Sequence, residues 1–230
     1  MNLWRQEFLP TCSDDRASDY IAVVVRFPPK ALIQNIVRLI KQGGGFIQAN
    51  EITTGIGRTG EWFGFQHYDF QPDIVSMGKG LGNGYPVSAI AMSAKIIDHL
   101  NRVSFHYSLS HQNDPLGCAV ALQVLNTLQA ENLIGECKEK GFYLFNKLVE
   151  LRKKYPVIKD VRGRGLMIAV EFSDSLDEKG VSEIYRQLLS HGIILAKRPG
   201  LKVFRIDPPL IIEKKDVDDF LQNFEQLIRN

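Results

Sequence analysis

The chain has 230 residues, 44% of them hydrophobic and 23% charged, a size that suits one large or two small compact units at about 100–200 residues per domain. Its 28 Lys and Arg against 26 Asp and Glu leave a formal charge of +2 with no basic stripe, so no nucleic-acid partner is expected. Its apolar runs fall far short of the about 20 residues that cross a bilayer, so no membrane partner is expected either.

In chain order, residues 1–15 mix Arg5, Glu7, Asp14 and Asp15 with apolar residues and hold no signal-peptide core. Ile21–Val25 is a short β-branched run, the mark of a buried strand. Pro28 and Pro29 lead into Leu32, Ile33, Ile36, Val37 and Ile40 at helical spacing, stopped by Gly43–Gly45. Phe46–Ala49, Ile74–Met77 and Val87–Met92 read as strands bounded by Gly, Pro or Asp. Strand, helix, strand is the rhythm of a mostly parallel sheet with covering helices, an α/β arrangement.

Asp114-Pro115 starts a helix, with a capping carboxylate and then proline at the first helical position. From Leu116 to Leu128 this helix is apolar on nearly every side and is expected to be buried. Leu133–Leu151 follows as a long helix whose stripe uses Cys137, Leu144, Phe145, Leu148 and Leu151, able to bridge two domains and ended by Tyr155-Pro156. Beyond it, Leu166–Phe172, Ile193–Ala196 and Val203–Ile206 read as strands. Helices run through Val181, Ile184, Tyr185, Leu188 and Leu189, and through Val217, Phe220, Leu221, Phe224, Leu227 and Ile228. The pattern predicts a large unit over 1–154, with its bridging helix, and a small α+β unit over 155–230.

Cys12, Cys118 and Cys137 are scattered and lack ligand spacing, which argues against a disulfide scaffold or zinc site and for a cytoplasmic protein. The five histidines show no ligand spacing and read as packing or solvated residues; no metal is expected. Gly55-Ile56-Gly57-Arg58-Thr59-Gly60 has the spacing of a dinucleotide-binding turn, but no helix opens after it and the acidic residue about 20 positions on is missing. A glycine loop needing positive φ is the better reading. Ser76-Met77-Gly78-Lys79-Gly80-Leu81-Gly82-Asn83-Gly84-Tyr85-Pro86 places a lysine among glycines at the end of a predicted strand. Open α/β sheets bind ligands at such strand ends, and lysine is the residue that forms Schiff bases. A solvated loop lysine is the competing reading.

Six blocks in order carry a resemblance: residues 50–60, Pro72-Asp73-Ile74, the Lys79 segment, Asn113–Ala119, Val161–Met167 and Phe204–Leu210. Together they resemble the class III (ω-amino-acid and ornithine-type) pyridoxal-phosphate aminotransferases of fold type I, over the later part of that fold. The resemblance implies a partial fold-type-I large domain followed by a small α+β domain, with pyridoxal 5'-phosphate as cofactor. Lys79 matches the lysine that holds the cofactor and moves the proton. Ser110 falls where a hydroxyl reaches the cofactor phosphate of the neighbouring subunit, implying a homodimer or higher oligomer. Arg205 matches the arginine that grips a substrate carboxylate with its planar fork. Gly80, Gly82 and Gly84 would shape the backbone near the cofactor.

Three departures follow from the same comparison. Asn50 stands where the family has aspartate against the pyridine nitrogen, and a neutral hydrogen bond there is worth about 0.5–1.5 kcal/mol against about 1.5–3 for a charged one. The adjacent Glu51 alternates to the opposite face and should not substitute. Thr53 replaces a glutamine that touches the ring's phenolic oxygen. The family's upstream phosphate-cupping turn and ring-stacking aromatic have no counterpart in residues 1–20, and Arg26 stands for an acid, which would leave Arg205 without its partner. The expected function is transfer of an amino group between an amine or amino acid and a keto acid or aldehyde, by a truncated and weakened enzyme. The loss of covering structure predicts a compensating oligomer or poor solubility. A non-catalytic interaction protein on the same scaffold, or a same-fold aminomutase, racemase or decarboxylase, remains the alternative. The reading requires the Lys79 amine to share one cavity with the Arg205 guanidinium.

Overall fold

The structure, a computed structural model, describes residues 25–229. The strand expected over Ile21–Val25 lies outside the described residues except for Val25, as do Cys12 and the segment 1–20.

The first unit carries a three-stranded sheet of β1 (Gln48–Asn50), β2 (Ile74–Met77) and β3 (Ala89–Met92), in that order. β1 and β2 run parallel, and β3 returns antiparallel. β1 begins two residues later than the Phe46–Ala49 pattern suggests, because the Ile47 amide donates to the Asp73 carboxylate at 2.7 Å instead of to a neighbouring strand. Asp73 also pairs with Lys41 at 2.5 Å, in the last turn of helix α1 (Lys30–Gln42), and so ties the helix end to the sheet. Helix α2 (Ala94–Arg102) follows β3.

Helix α3 (Pro115–Ala130) starts where Asp114 and Pro115 predict, with the Asp114 carboxylate accepting from the Gly117 amide at 2.7 Å. Its expected burial is not met: Leu116 and Leu122 are each 59% exposed. One face packs through Ala121, Val124, Leu125 and Leu128 on Ile56, Leu81 and Leu133, and the described residues supply nothing to cover the other.

Helix α4 (Leu133–Lys154) follows, and its buried stripe packs into the core of the second unit. The four-stranded antiparallel sheet of that unit has the order β4-β5-β7-β6, from β4 (Ile158–Arg164), β5 (Met167–Phe172), β6 (Ala196–Lys197) and β7 (Val203–Ile206). Helices α5 (Glu178–Ser190) and α6 (Lys214–Ile228) complete it. β5 shows the two-residue alternation of a strand buried on both faces. Ile168, Val170 and Phe172 enter the core with Leu144, Leu148, Leu188, Phe204 and Phe224. Met167 and Ala169 turn to the opposite face, where Val25 and Val203 cover them.

β4 was not predicted as a strand, because Lys159, Asp160, Arg162 and Arg164 break its apolar pattern; charged side chains suit an edge strand. The strand expected over Ile193–Ala196 is corrected to Ala196–Lys197. The chain leaving α5 passes Ile194, 82% exposed, without regular structure, and only Ala196 and Lys197 pair with β7.

The glycine loop 55–60 joins the two units. Arg58 accepts at its backbone carbonyl from the Leu166 amide at 3.2 Å, and its guanidinium donates to the carbonyls of Leu166 and Pro208. Gly165 (φ +53°) packs so closely that a Cβ there would lie 2.4 Å from the Thr59 carbonyl carbon. Gly57 and Gly60 have φ of +86° and +80°, as a turn-forming loop requires.

Candidate functional site

β2 ends at Met77, and Lys79 stands in the tight turn just after it with φ +42°. A left-handed backbone is costly for a residue with a side chain and is found where the surroundings enforce it, often at functional positions. Here the turn is closed by amide bonds from Leu81 to Gly78 and from Gly82 to Lys79, both 3.0 Å. Gly82 is needed for this turn itself, since a Cβ there would sit 2.0 Å from the Tyr85 carbonyl oxygen. Gly80 and Gly82 border the adjoining cavity and Gly84 does not.

The Lys79 amine donates to the Thr53 hydroxyl at 3.0 Å. Thr53 belongs to the loop leaving β1, and Glu51 anchors that loop. The Glu51 carboxylate, 3% exposed, accepts from Thr54 Oγ1 at 2.6 Å, the Gly64 amide at 2.8 Å and the Phe65 amide at 2.9 Å. Three of its roughly four acceptor sites are thus taken by the loop itself. Asn50 is exposed at the end of β1, its Oδ1 accepting from the Ile52 amide at 3.2 Å.

A cavity of about 700 Å3 opens between the two units. Thr53, Lys79 and Arg205 all border it, so the amine and the guanidinium share one space. Asn50 and Ser110 are not among its described lining residues, and Ser110 lies on an exposed segment before α3. Apolar walls come from Ile56, Val124, Leu128 and Leu210. Its charged lining residues are Arg58, Lys79, Arg205, Glu131 and Asp207.

Arg205, expected to lack an acidic partner, has one: its Nη2 donates to Asp207 Oδ2 at 2.8 Å. Asp207 lies immediately past the end of β7, two residues on from Arg205 and within reach of its fork. Arg58 lies close to both. Burial lowers its guanidinium from the usual arginine range, Asp207 opposes that, and Arg205 adds to it. Arg58 and Asp207 had no role in the sequence reading, although a basic residue inside a glycine loop and the Arg-x-Asp spacing at a strand end were visible signals.

A family model described as Aminotransferase class-III matches residues 24–228. The chain belongs to that family. It is 32% identical over 206 residues to a leucine/methionine racemase of Thermococcus litoralis, covering 87% of this chain and 46% of the relative. It is 33% identical over 213 residues to the mitochondrial alanine–glyoxylate aminotransferase 2 of Homo sapiens, covering 89% of this chain and 41% of the relative. The crystal structure of an S-selective transaminase from Arthrobacter sp. superposes with a TM-score of 0.83 at 26% identity, over 90% of this chain and 49% of that one. The fold is thus a partial fold-type-I transaminase, and the chain spans about half the length of the curated relatives it matches.

Members of this class depend on pyridoxal phosphate. An amine with a hydroxyl 3.0 Å away, on the wall of a cavity of this size, fits the aldehyde-bearing side of that group. Ser110, expected at the phosphate, is not on this wall. No helix of the described residues is long and apolar enough to cross a membrane.

Proposed function

We propose that this chain carries the lysine-bearing part of a pyridoxal-phosphate-dependent aminotransferase that moves an amino group between an amine or amino acid and a keto acid or aldehyde. The observation that carries it is the Lys79 amine bordering one cavity with Thr53 and Arg205. When bound, the cofactor supplies the electron sink that stabilises a carbanion next to the amine nitrogen. Lys79 would hold the cofactor through Nζ and would serve as the base for the proton at the substrate carbon, since a free amine is both nucleophile and base. Thr53 accepts the Lys79 hydrogen bond and orients that amine. Arg205 takes a substrate carboxylate in its fork. Asn50 is the neutral partner for the ring nitrogen, once its side chain turns from the Ile52 amide, and Ser110 is the hydroxyl for a phosphate held by a neighbouring subunit.

The exposed Ile90, Phe105, Tyr107, Leu109, Leu116 and Leu122 support the homo-oligomer, which such a shared site requires. We place the protein in the cytoplasm and the division between its units near Tyr155. Racemisation is the second reading, favoured by the identity to the leucine/methionine racemase, since both reactions need the same lysine and the same carbanion.

The test is incubation of the full chain with pyridoxal phosphate, borohydride reduction and peptide mapping. A reduced adduct on Lys79, lost in Lys79→Ala, is expected. An unmodified Lys79 overturns the reading. Product analysis with a chiral amino acid, with and without a keto acid, separates transfer from racemisation.

A further inference from the structure

Arg58 leaves the glycine loop 55–60 and reaches two segments of the second unit with a single nitrogen. Its Nη1 donates to the Leu166 carbonyl, in the turn between β4 and β5, at 3.2 Å, and also to the Pro208 carbonyl just past β7. Pro209 and Leu210, the next residues, line the cavity. The two prolines have restricted φ, so a shift at the Pro208 carbonyl passes to the cavity wall. The loop backbone is held independently of that side chain. A Cβ at Gly57 would lie 2.9 Å from Ile134 and one at Gly60 3.1 Å from Lys138, so the loop rests directly on α4. Loss of the Arg58 side chain therefore leaves its own loop seated and frees the segment that follows β7.

We propose that Arg58 is a positioning residue: it clamps the segment from Arg205 to Leu210 of the second unit at a fixed spacing from Lys79 of the first. This rests on the reading of the cavity as an amino- and keto-substrate site. A substrate that bridges Lys79 and Arg205 needs both units at one spacing, and a displacement of about 1 Å can cost about a hundredfold. An amine without a carboxylate meets Lys79 alone and tolerates a looser seam.

The test has two parts, both on the full chain. Without cofactor, amide hydrogen exchange is compared among the parent, Arg58→Gln and Arg58→Lys. The Leu166 amide bonds to the Arg58 carbonyl at 3.2 Å and the Ile212 amide to the Pro209 carbonyl at 3.0 Å. Arg58→Gln should speed exchange at both about tenfold or more, the worth of one charged hydrogen bond. Val170, paired on both sides within β5, should keep its parental protection. Arg58→Lys keeps a charged donor without the planar fork and should recover part of the protection. With pyridoxal phosphate added, Arg58→Gln should trap the parental fraction of reduced adduct on Lys79. Its KM for 6-aminohexanoate should rise about tenfold or more, with kcat and the KM for hexylamine within about threefold of the parent.

Parental exchange at Leu166 and Ile212 in both variants would overturn the proposal, because the guanidinium would then clamp nothing. Faster exchange at Val170 as well, or loss of folding in both variants, would overturn it by making Arg58 a support of the whole fold. An equal rise in KM for hexylamine would overturn it by moving the effect to the Lys79 side. A parent chain that forms no Lys79 adduct would sink the functional reading alone, and the exchange comparison would still decide the clamp.

Discussion

Helices α3 and α4 are separated only by Glu131 and Asn132, yet they meet opposite fates. The stripe of α4 is buried through Cys137, Leu144, Leu148 and Leu151, in a core where the Phe172 and Phe204 rings meet edge to face at 4.8 Å. α3 is the more apolar of the two by sequence and leaves Leu116 and Leu122 in water. An amphipathic helix needs one neighbouring layer, and the second unit supplies it from its own strands. A helix apolar all round needs two layers, and the described residues of the first unit supply one. The chain spans about half the length of its curated relatives, and the uncovered side of α3 is where a second surface is required.

The sharpest way to break this contrast is a matched pair of truncations. Phe204→Ala, in the closed core, should cost about 3–5 kcal/mol in urea unfolding. Leu122→Ser should stay within about 0.5 kcal/mol when the chain is dilute enough to be unassembled. Light scattering should show an assembly for the parent chain and a smaller species for Leu122→Ser. A parent chain that stays monomeric and equally soluble contradicts the oligomer reading, and a concentration-independent loss in Leu122→Ser places its cover within the chain itself.

A smaller effect probes the seam between the units. Gly165→Ala places a Cβ against Thr59 and Gly60 at a backbone conformation disfavoured for alanine. It should cost about 1–3 kcal/mol by overpacking and lower the melting temperature. A neutral result would mean that the loop 55–60 yields easily and that the seam is loose.

The sequence made the second unit legible where one pattern decided one outcome. Val181, Ile184 and Leu188, or Val217, Phe220 and Phe224, repeat at helical spacing and are all buried. β4 escaped because alternating charges on an edge strand look like a loop, and Ile193–Leu195 misled because an apolar run does not state whether a neighbouring strand is within reach. α3 reads as buried in sequence and is open on one side in the structure, because periodicity reports what a helix demands and not what the chain provides. At the site, the grouping of Lys79 with Arg205 was anticipated through the resemblance. The Arg205–Asp207 pair has only a weak signal in sequence, an Arg-x-Asp spacing that straddles the end of β7.

The smallest expected effect concerns pH and reports on the second unit's sheet. Glu171 on β5 pairs with Lys159 and Arg162, each at 2.8 Å, with its side chain 22% exposed. Burial alone would raise its carboxyl, but hydrogen bonds from Lys159 and Arg162 outweigh that and hold it below the usual glutamate range. The unfolded chain then takes up this proton more readily than the folded one. The stabilisation is complete above the ordinary value of about 4.3 and is lost as pH falls through the depressed folded value. Glu171→Gln should leave stability at pH 7 within about 1 kcal/mol, because Asp160 still pairs with Arg162. It should also flatten the fall in urea midpoint between neutral pH and the acid limb. An acid limb as steep in Glu171→Gln as in the parent would move the acid sensitivity elsewhere, and would make the paired edge of this sheet as replaceable as the open face of α3.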